Sequence, residues 1–398
     1  MCSGVAAAGA AAQPVFSELL PIEEPTPPRK PAAPAADELM PLDDEPNALK
    51  RRLWLETDRV FRNAAQRLIN IKTNQQVKLE GDDKSGDFSP APAVVKYVDV
   101  GQLQFDRKLW ETRARKWSQY FVDKPEVLSS TVVVVGQREV KTLVNTEGTK
   151  LQHGRMFARI LISARGKAND GMNLGASETF EAEDMGRLPD EKTVQQAIEK
   201  VHKKLVALLK APLAEPYTGP AILSGKAAGV FFHEIFGHRI EGHRQKDESE
   251  GQTFTKMVGQ KILPDFLTVK MDPTLHRLAN TDLFGWYNFD DEGVAAQPVS
   301  VVKAGVLENF LLSRSPITGF PISNGHGRKQ AGAEVVARQS NLVVESSKAV
   351  SPAELRKQLV EEIKRQNKPY GLYFEEVTSG FTITSRRGLQ AFSVAPVM

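Results

Sequence analysis

Cysteine is all but missing: the 398 residues include one, Cys2. An intramolecular disulfide is therefore excluded, and so is a metal site built mainly from thiolates. No run of about 18 apolar residues occurs, which excludes a transmembrane helix. Neither sign of charge is in large excess. Lys and Arg number 52 against 49 Asp and Glu, a formal net charge of +3. That balance is too mild for nucleic acid or a membrane surface to be the main partner. No internal repeat of solenoid type is present. What is there is a chain with 41% hydrophobic residues, enough to bury real cores, and a length suited to about two or three domains.

The first 13 residues, MCSGVAAAGAAAQ, are small and apolar. They lack a basic n-region and a Leu-rich stretch, yet end in an Ala-x-Ala-like site. The expectation is an Ala-rich disordered start on a cytoplasmic protein. The alternative is the remnant of a signal segment on an exported one, if the true start lies upstream. Residues 14–48 are rich in Pro, Ala, Asp and Glu and cannot bury enough apolar surface to offset their ordering entropy. Residues 1–48 are thus expected to be a tail. Residues 49–190 are expected to form an N-terminal α+β domain, and 191–398 a C-terminal metal-binding domain, incomplete at its end.

Ordered structure is expected from near Leu53. Val60, Phe61, Ala64 and Leu68 have helical spacing, and a second helix is predicted over 106–121 with Leu109, Trp110, Trp117 and Phe121 on one side. Strands are predicted at 130–135, 140–144 and 151–164, with a turn at Asn145-Thr146-Glu147-Gly148. A helix over 191–210 carries Val194, Ile198, Val201, Leu205 and Leu208 as its apolar stripe, and Pro212 stops it. Farther on come a strand at 220–223, Ser224 as a helix N-cap, a turn at 288–293 and a strand at 299–302. Ser351-Pro352-Ala353-Glu354 is a capping box with Pro at the first helical position. Strands at 372–377 and 381–384 are expected to make a hairpin across Ser379-Gly380, and 390–397 to form a last strand. The fold class is α+β.

The chemistry lies in His233-Glu234-Ile235-Phe236-Gly237-His238, two imidazoles and a carboxylate on a short piece of backbone. Zinc favours imidazole nitrogen and needs about three protein ligands plus a water in a catalytic site. A bound metal lowers the pKa of that water toward about 7, and Glu234 would take its proton and pass it to a leaving amine. The histidines are at i and i+5, roughly 140° apart on a regular helix. Convergence on one ion therefore predicts a non-regular turn between Glu234 and His238, such as a π-bulge, which Gly237 would ease. The alternative is two partly buried histidines beside a paired Glu. Asp290-Asp291-Glu292 beside Gly293 reads as an acidic turn, or as a cluster of metal ligands. Asn324 to Arg328 reads as a loop, or as a cleft wall. Arg239 and Arg244 read as solvated helix-end charges, or as a clamp on a peptide carboxylate.

Ala228 to His243 (AGVFFHEIFGHRIEGH) strongly resembles the metal-binding helix of the TldD/PmbA family of zinc metallopeptidases. Tyr287–Gly293 (YNFDDEG), Gly305–Leu312 (GVLENFLL), Asn324–Arg328 and the Val144–Gly148 turn resemble later and earlier stretches of that family, in order along about residues 50–398. The resemblance implies a zinc-dependent peptidase acting on peptides and unfolded segments. It carries His233 and His238 over as ligands and Glu234 as the base. It also implies a dimer, either a homodimer or a heterodimer with a non-catalytic paralogue, and an α+β fold with a sheet-rich C-terminal domain. Active members take their third ligand from a cysteine far downstream, and this chain has none after Cys2. A truncated enzyme and a non-catalytic subunit are thus both expected alternatives. His243, His276, His326 and Glu241 stay open as substitutes, since no spacing argument selects among them.

Overall fold

Val- and Ile-rich runs build the first half. Ser129–Val144 (β3) and Lys150–Lys167 (β4) pair antiparallel along their whole length, from Ser129 opposite Arg165 to Val144 opposite Lys150. Expected strands 130–135 and 140–144 are thus one strand. Asn145 closes the hairpin: its Oδ1 accepts from the backbone N–H groups of Glu147 and Thr149. Gly148 has a φ of 99°, a left-handed conformation open to glycine. The sheet is completed by Ser3–Ala8 (β1) on β3, Val95–Tyr97 (β2) parallel to β4, and Asn173–Ala182 (β5) antiparallel to β4.

The computed structural model describes residues 3–8, 45–74, 85–247, 249–330, 332–385 and 392–397. Apart from 3–8 and 45–48, the expected tail lies outside the described residues, and so does Cys2. No helix among the described residues is long and apolar enough to cross a membrane.

Two helices cover the sheet: Arg107–Gln119 (α2) and Glu191–Lys210 (α3). Asp106 caps α2 and Asp190 caps α3, each accepting a backbone N–H three residues on. Trp110, Trp117 and Phe121 meet Val132, Ile160 and Ile162 of the sheet and Val194, Ile198, Val201 and Leu205 of α3 in one core. Leu109 turns outward, since the apolar face of α2 runs through Trp110 and Trp117. The helix 191–210, counted above with the second half, lays its stripe on this first core.

The first helix, Pro46–Asn74 (α1), starts seven residues earlier than the Leu53 expected, with Glu45 capping Ala48 N–H. Val60, Phe61 and Leu68 are helically spaced as predicted, yet all three are exposed. On this helix the pattern did not mark a buried face.

The second half opens with Ala221–Leu223 (β6), then Gly225–Ile235 (α4) and the short helix His243–Lys246 (α5). A four-stranded antiparallel sheet follows, built from Leu267–Met271 (β7), Val299–Lys303 (β10), Val306–Leu307 (β11) and Leu342–Ser346 (β14), in the order β11-β10-β7-β14. Short pairs lie between them in sequence: Arg277–Leu278 (β8) with Thr281–Asp282 (β9), and Gly327–Arg328 (β12) with Val336–Ala337 (β13). Phe236, Ile240, Val269, Met271, Val301, Leu307, Phe310 and Leu311 form its core. Ser351 caps Pro352–Arg365 (α6) through Glu354 N–H, as the capping box predicts.

The expected 372–384 hairpin is corrected. Leu372–Phe374 (β15) pairs parallel with β6, and Glu376–Thr382 (β16) runs unbroken through Ser379-Gly380 to pair antiparallel with Phe392–Val397 (β17). A turn-like dipeptide does not turn the chain where a distant strand supplies the ladder partner.

Charged contacts tie the halves together. Arg314, 2% exposed, forks onto both carboxylate oxygens of Glu147 at 2.5 and 2.6 Å and donates to the Ser89 carbonyl. Lys141 of β3 bonds Asp291 at 2.7 Å.

Candidate metal centre

The parallel β6–β15 pair delivers the chain to Ser224, whose hydroxyl accepts from Ala227 N–H and donates to the Glu375 carbonyl. That cap starts α4, and α4 carries the motif. The helix ends at Ile235. Phe236 has φ −109° and ψ −52°, and the chain tightens into a 3₁₀ turn over Gly237–Ile240. The irregularity expected between Glu234 and His238 is therefore present, as a break into a 3₁₀ turn rather than a π-bulge. Burial fixes its position: the Phe236 ring is held in the second core, against Phe254. Gly237 has a different reason from the one expected. A Cβ there would lie 2.0 Å from Oε1 of Gln339, so the residue lets the segment after β13 approach the helix closely.

The break brings the histidines together. Their ring centroids are 4.7 Å apart and the rings cross at 75°. Nε2 of His233 lies 3.8 Å from Oε1 of Glu234, and Nε2 of His238 lies 3.7 Å from Oε2 of the same carboxylate. One ligating atom from each of the three falls within 4.8 Å of the others. The Glu234 carboxylate is buried, and the Thr382 hydroxyl reaches both its Oε2 at 3.0 Å and its backbone carbonyl at 2.6 Å. His233 is half exposed, and its backbone carbonyl accepts from Gln339 Nε2 at 3.3 Å. Burial, and then the neighbouring His238, lower the pKa of the His233 ring, favouring the neutral form that binds metals.

Below His238 sits Glu241, wholly buried. Its Oε1 is 3.1 Å from Nδ1 of His238, its Oε2 accepts from Arg244 Nε at 2.8 Å, and an Arg338 nitrogen lies 3.5 Å away. Burial alone would raise this carboxyl, but the His238 bond and the charges of His238, Arg244 and Arg338 hold it below its ordinary value.

Of the other ligand candidates, Glu241 touches His238 from the side away from Glu234. His243 is held neutral by burial, its pKa lowered to about 4. His276 stacks on Trp286 at 3.9 Å and bonds Glu183. His326 is fully buried between the Asn324 carbonyl and the Ser340 hydroxyl, and burial lowers its pKa to about 4. Among the described residues none of these joins the His233–Glu234–His238 group.

The acidic turn is structural. Asp290 accepts three backbone N–H groups, from Glu292, Val294 and Gly327, while Asp291 meets Lys141 and Arg328. Burial pushes the Asp290 carboxyl up to about 7 against those three bonds. The 324–328 stretch is tied down as well, with Asn324 bonding the backbone of Leu312 and Phe310. Arg244 is committed to Glu241, Glu250 and Thr384, so it is not a solvated helix-end charge. The residues that sequence reasoning missed are Thr382, Gln339 and Arg338. They lie about 100 to 150 residues beyond the motif, and no local signal marks them.

Residues 216–395 match the family model described as the PmbA/TldA metallopeptidase C-terminal domain. Among curated relatives, a metalloprotease of Archaeoglobus fulgidus is 28% identical over 227 residues, 55% of this chain and 49% of that protein. A metalloprotease of Methanothermobacter thermautotrophicus is 27% identical over 284 residues, 68% of this chain and 55% of that one. A shorter match, to a zinc metalloprotease TldD homolog of Saccharolobus solfataricus, is 26% identical over 149 residues, 37% of this chain and 32% of that one. The chain thus spans about half the length of the first two relatives. Among solved structures, TldE from Thermococcus kodakarensis superposes with a TM-score of 0.53 at 15% identity, covering 81% of this chain and 72% of that one. A protein of Bacteroides thetaiotaomicron, named as a candidate modulator of a DNA gyrase, superposes at 0.55 and 13% identity, covering 76% and 63%. At these identities the structural likeness speaks for the α+β fold alone.

Proposed function

The chain belongs to the TldD/PmbA family, and from that premise we propose that it is a zinc-dependent peptidase acting on peptides or unfolded segments. The observation that carries this reading is the convergence of His233, Glu234 and His238 at a break in α4. Each Nε2 stands 3.7 or 3.8 Å from the Glu234 carboxylate, which places that base beside any water held between the two rings. Two imidazoles also suit zinc in donor type.

His233 and His238 would hold the ion through Nε2. When bound, zinc supplies Lewis-acid polarisation of a water molecule and of the substrate carbonyl. Glu234 accepts the proton that the water loses as its oxygen adds to the carbonyl carbon. It returns that proton to the amine nitrogen as the C–N bond breaks. Thr382 aims this carboxylate. Its hydroxyl is the donor toward both Oε2 and the Glu234 carbonyl, so it ties the side chain to its own backbone.

A second reading rests on the cysteine count. Within residues 1–398 the only one is Cys2, whereas the family resemblance supplies a cysteine far downstream as third ligand. In this reading the 398 residues act as a non-catalytic subunit, pairing with an active paralogue or holding peptides without cutting them. The partner in either reading is a second copy or a paralogue.

Zinc content and cleavage of a fluorescently labelled unfolded protein separate the two. In the peptidase reading the parent carries about one zinc per chain, His233→Ala loses it, and Glu234→Gln keeps it while cleavage stops. Unchanged cleavage by Glu234→Gln refutes the mechanism. Zinc without cleavage in the parent supports the non-catalytic subunit.

A further inference from the structure

We propose that Glu241 is a positioning residue for His238: its carboxylate accepts from Nδ1–H, fixing the tautomer in which Nε2 is bare and faces Glu234. This deepens the metal reading above and rests on it where it concerns zinc.

The 3₁₀ turn makes the pair. In that helix residues i and i+3 eclipse one another, and Gly237–Ile240 sets His238 and the following Glu241 on one edge. The two distances at the ring then define its orientation. Nδ1 is 3.1 Å from Glu241 Oε1, and Nε2 is 3.7 Å from Glu234 Oε2. An ionised carboxylate only accepts hydrogen bonds, so the hydrogen belongs to Nδ1.

Glu241 is itself locked. It is 0% exposed, its second oxygen is taken by Arg244, and the backbone on either side is bound. Gly242 N–H donates to the Leu311 carbonyl at 2.8 Å, and Leu311 N–H to the Ile240 carbonyl at 2.9 Å. A Cβ on Gly242 would stand 2.6 Å from the Leu311 oxygen, so this segment is pressed against its neighbour. The carboxylate is therefore a fixed point in the second core, and the ring answers to it. His233 has no such support: among the described residues no hydrogen bond holds its ring, and Glu234 Oε1 lies 3.8 Å from its Nε2. The site is thus asymmetric, with one imidazole oriented in advance and one half exposed. Carboxylate partners of this kind raise a ligand's basicity, and their loss weakens metal binding by about 10- to 100-fold.

The test uses the full chain with ¹⁵N-labelled histidine, freed of metal, at neutral pH. The ring shifts of His238, assigned by their loss in His238→Ala, report which nitrogen carries the hydrogen. The proposal expects the Nδ1–H form in the parent and a mixture in Glu241→Gln. Zinc affinity by chelator competition is expected to fall about 10- to 100-fold in Glu241→Gln. Leu205→Ala, which loosens the first core away from the site, controls for a loss of stability alone and keeps both the tautomer and the affinity. An Nε2–H tautomer in the parent overturns the proposal without any variant having to fold. So does a Glu241→Gln protein that binds zinc as tightly as the parent. A parent with the Nδ1–H form that binds no zinc refutes the metal reading and upholds the hold of Glu241 on the ring.

Discussion

His326 offers a measure of how firmly the segment that carries Arg338 and Gln339 is held. The side chain is 0% exposed, with Nδ1 on the Asn324 carbonyl and Nε2 on the Ser340 hydroxyl, both at 3.1 Å. Its backbone carbonyl accepts from Arg338 N–H at 3.0 Å, at the start of the segment whose Gln339 reaches the His233 carbonyl. Burial lowers its pKa from 6.5 to about 4. Between those values the unfolded chain binds the proton and the folded protein does not, so stability rises with pH across that window. The contribution is present above about 6.5 and is lost as pH falls toward 4. At pH 5 the loss from this one residue is about 2 kcal/mol. Urea unfolding of the parent and of His326→Gln, each at pH 7 and pH 5, isolates it. The parent should lose about 2 kcal/mol more than the variant between the two pH values. Equal losses, or a His326 ring titrating near 6.5 in the folded protein, would refute the reasoning.

Two further changes test the supports of the site. Asp290→Ala removes the acceptor of three backbone N–H groups in a buried turn, and should cost about 2–4 kcal/mol in urea unfolding. A cost below about 1 kcal/mol would mean that water replaces the carboxylate there. Leu205→Ala empties a fully buried position where α3 meets the first sheet. It should cost about 2–5 kcal/mol while zinc binding by the folded protein stays unchanged, and a loss of zinc affinity at equal folding would contradict the assignment of α3 to the first core.

The sequence by itself determined the local elements whose signals are local. Ser224 and Ser351 cap the helices they were read to cap, because a side-chain oxygen three residues before an N–H needs no distant partner. The α3 stripe is buried as its period requires. The sequence also held the three groups of the candidate site, and it predicted a break between Glu234 and His238 because five-residue spacing does not converge on a regular helix. Tertiary structure decided the rest. It turned the break into a 3₁₀ step by burying Phe236, and it left the periodic α1 residues Val60, Phe61 and Leu68 exposed. It carried β16 straight through Ser379-Gly380 because β17 supplied the ladder. It brought Thr382, Gln339 and Arg338 to the motif from far along the chain. Contacts across 100 residues depend on how two sheets and their loops pack, and hydrophobic period and capping chemistry report only what lies within a few residues.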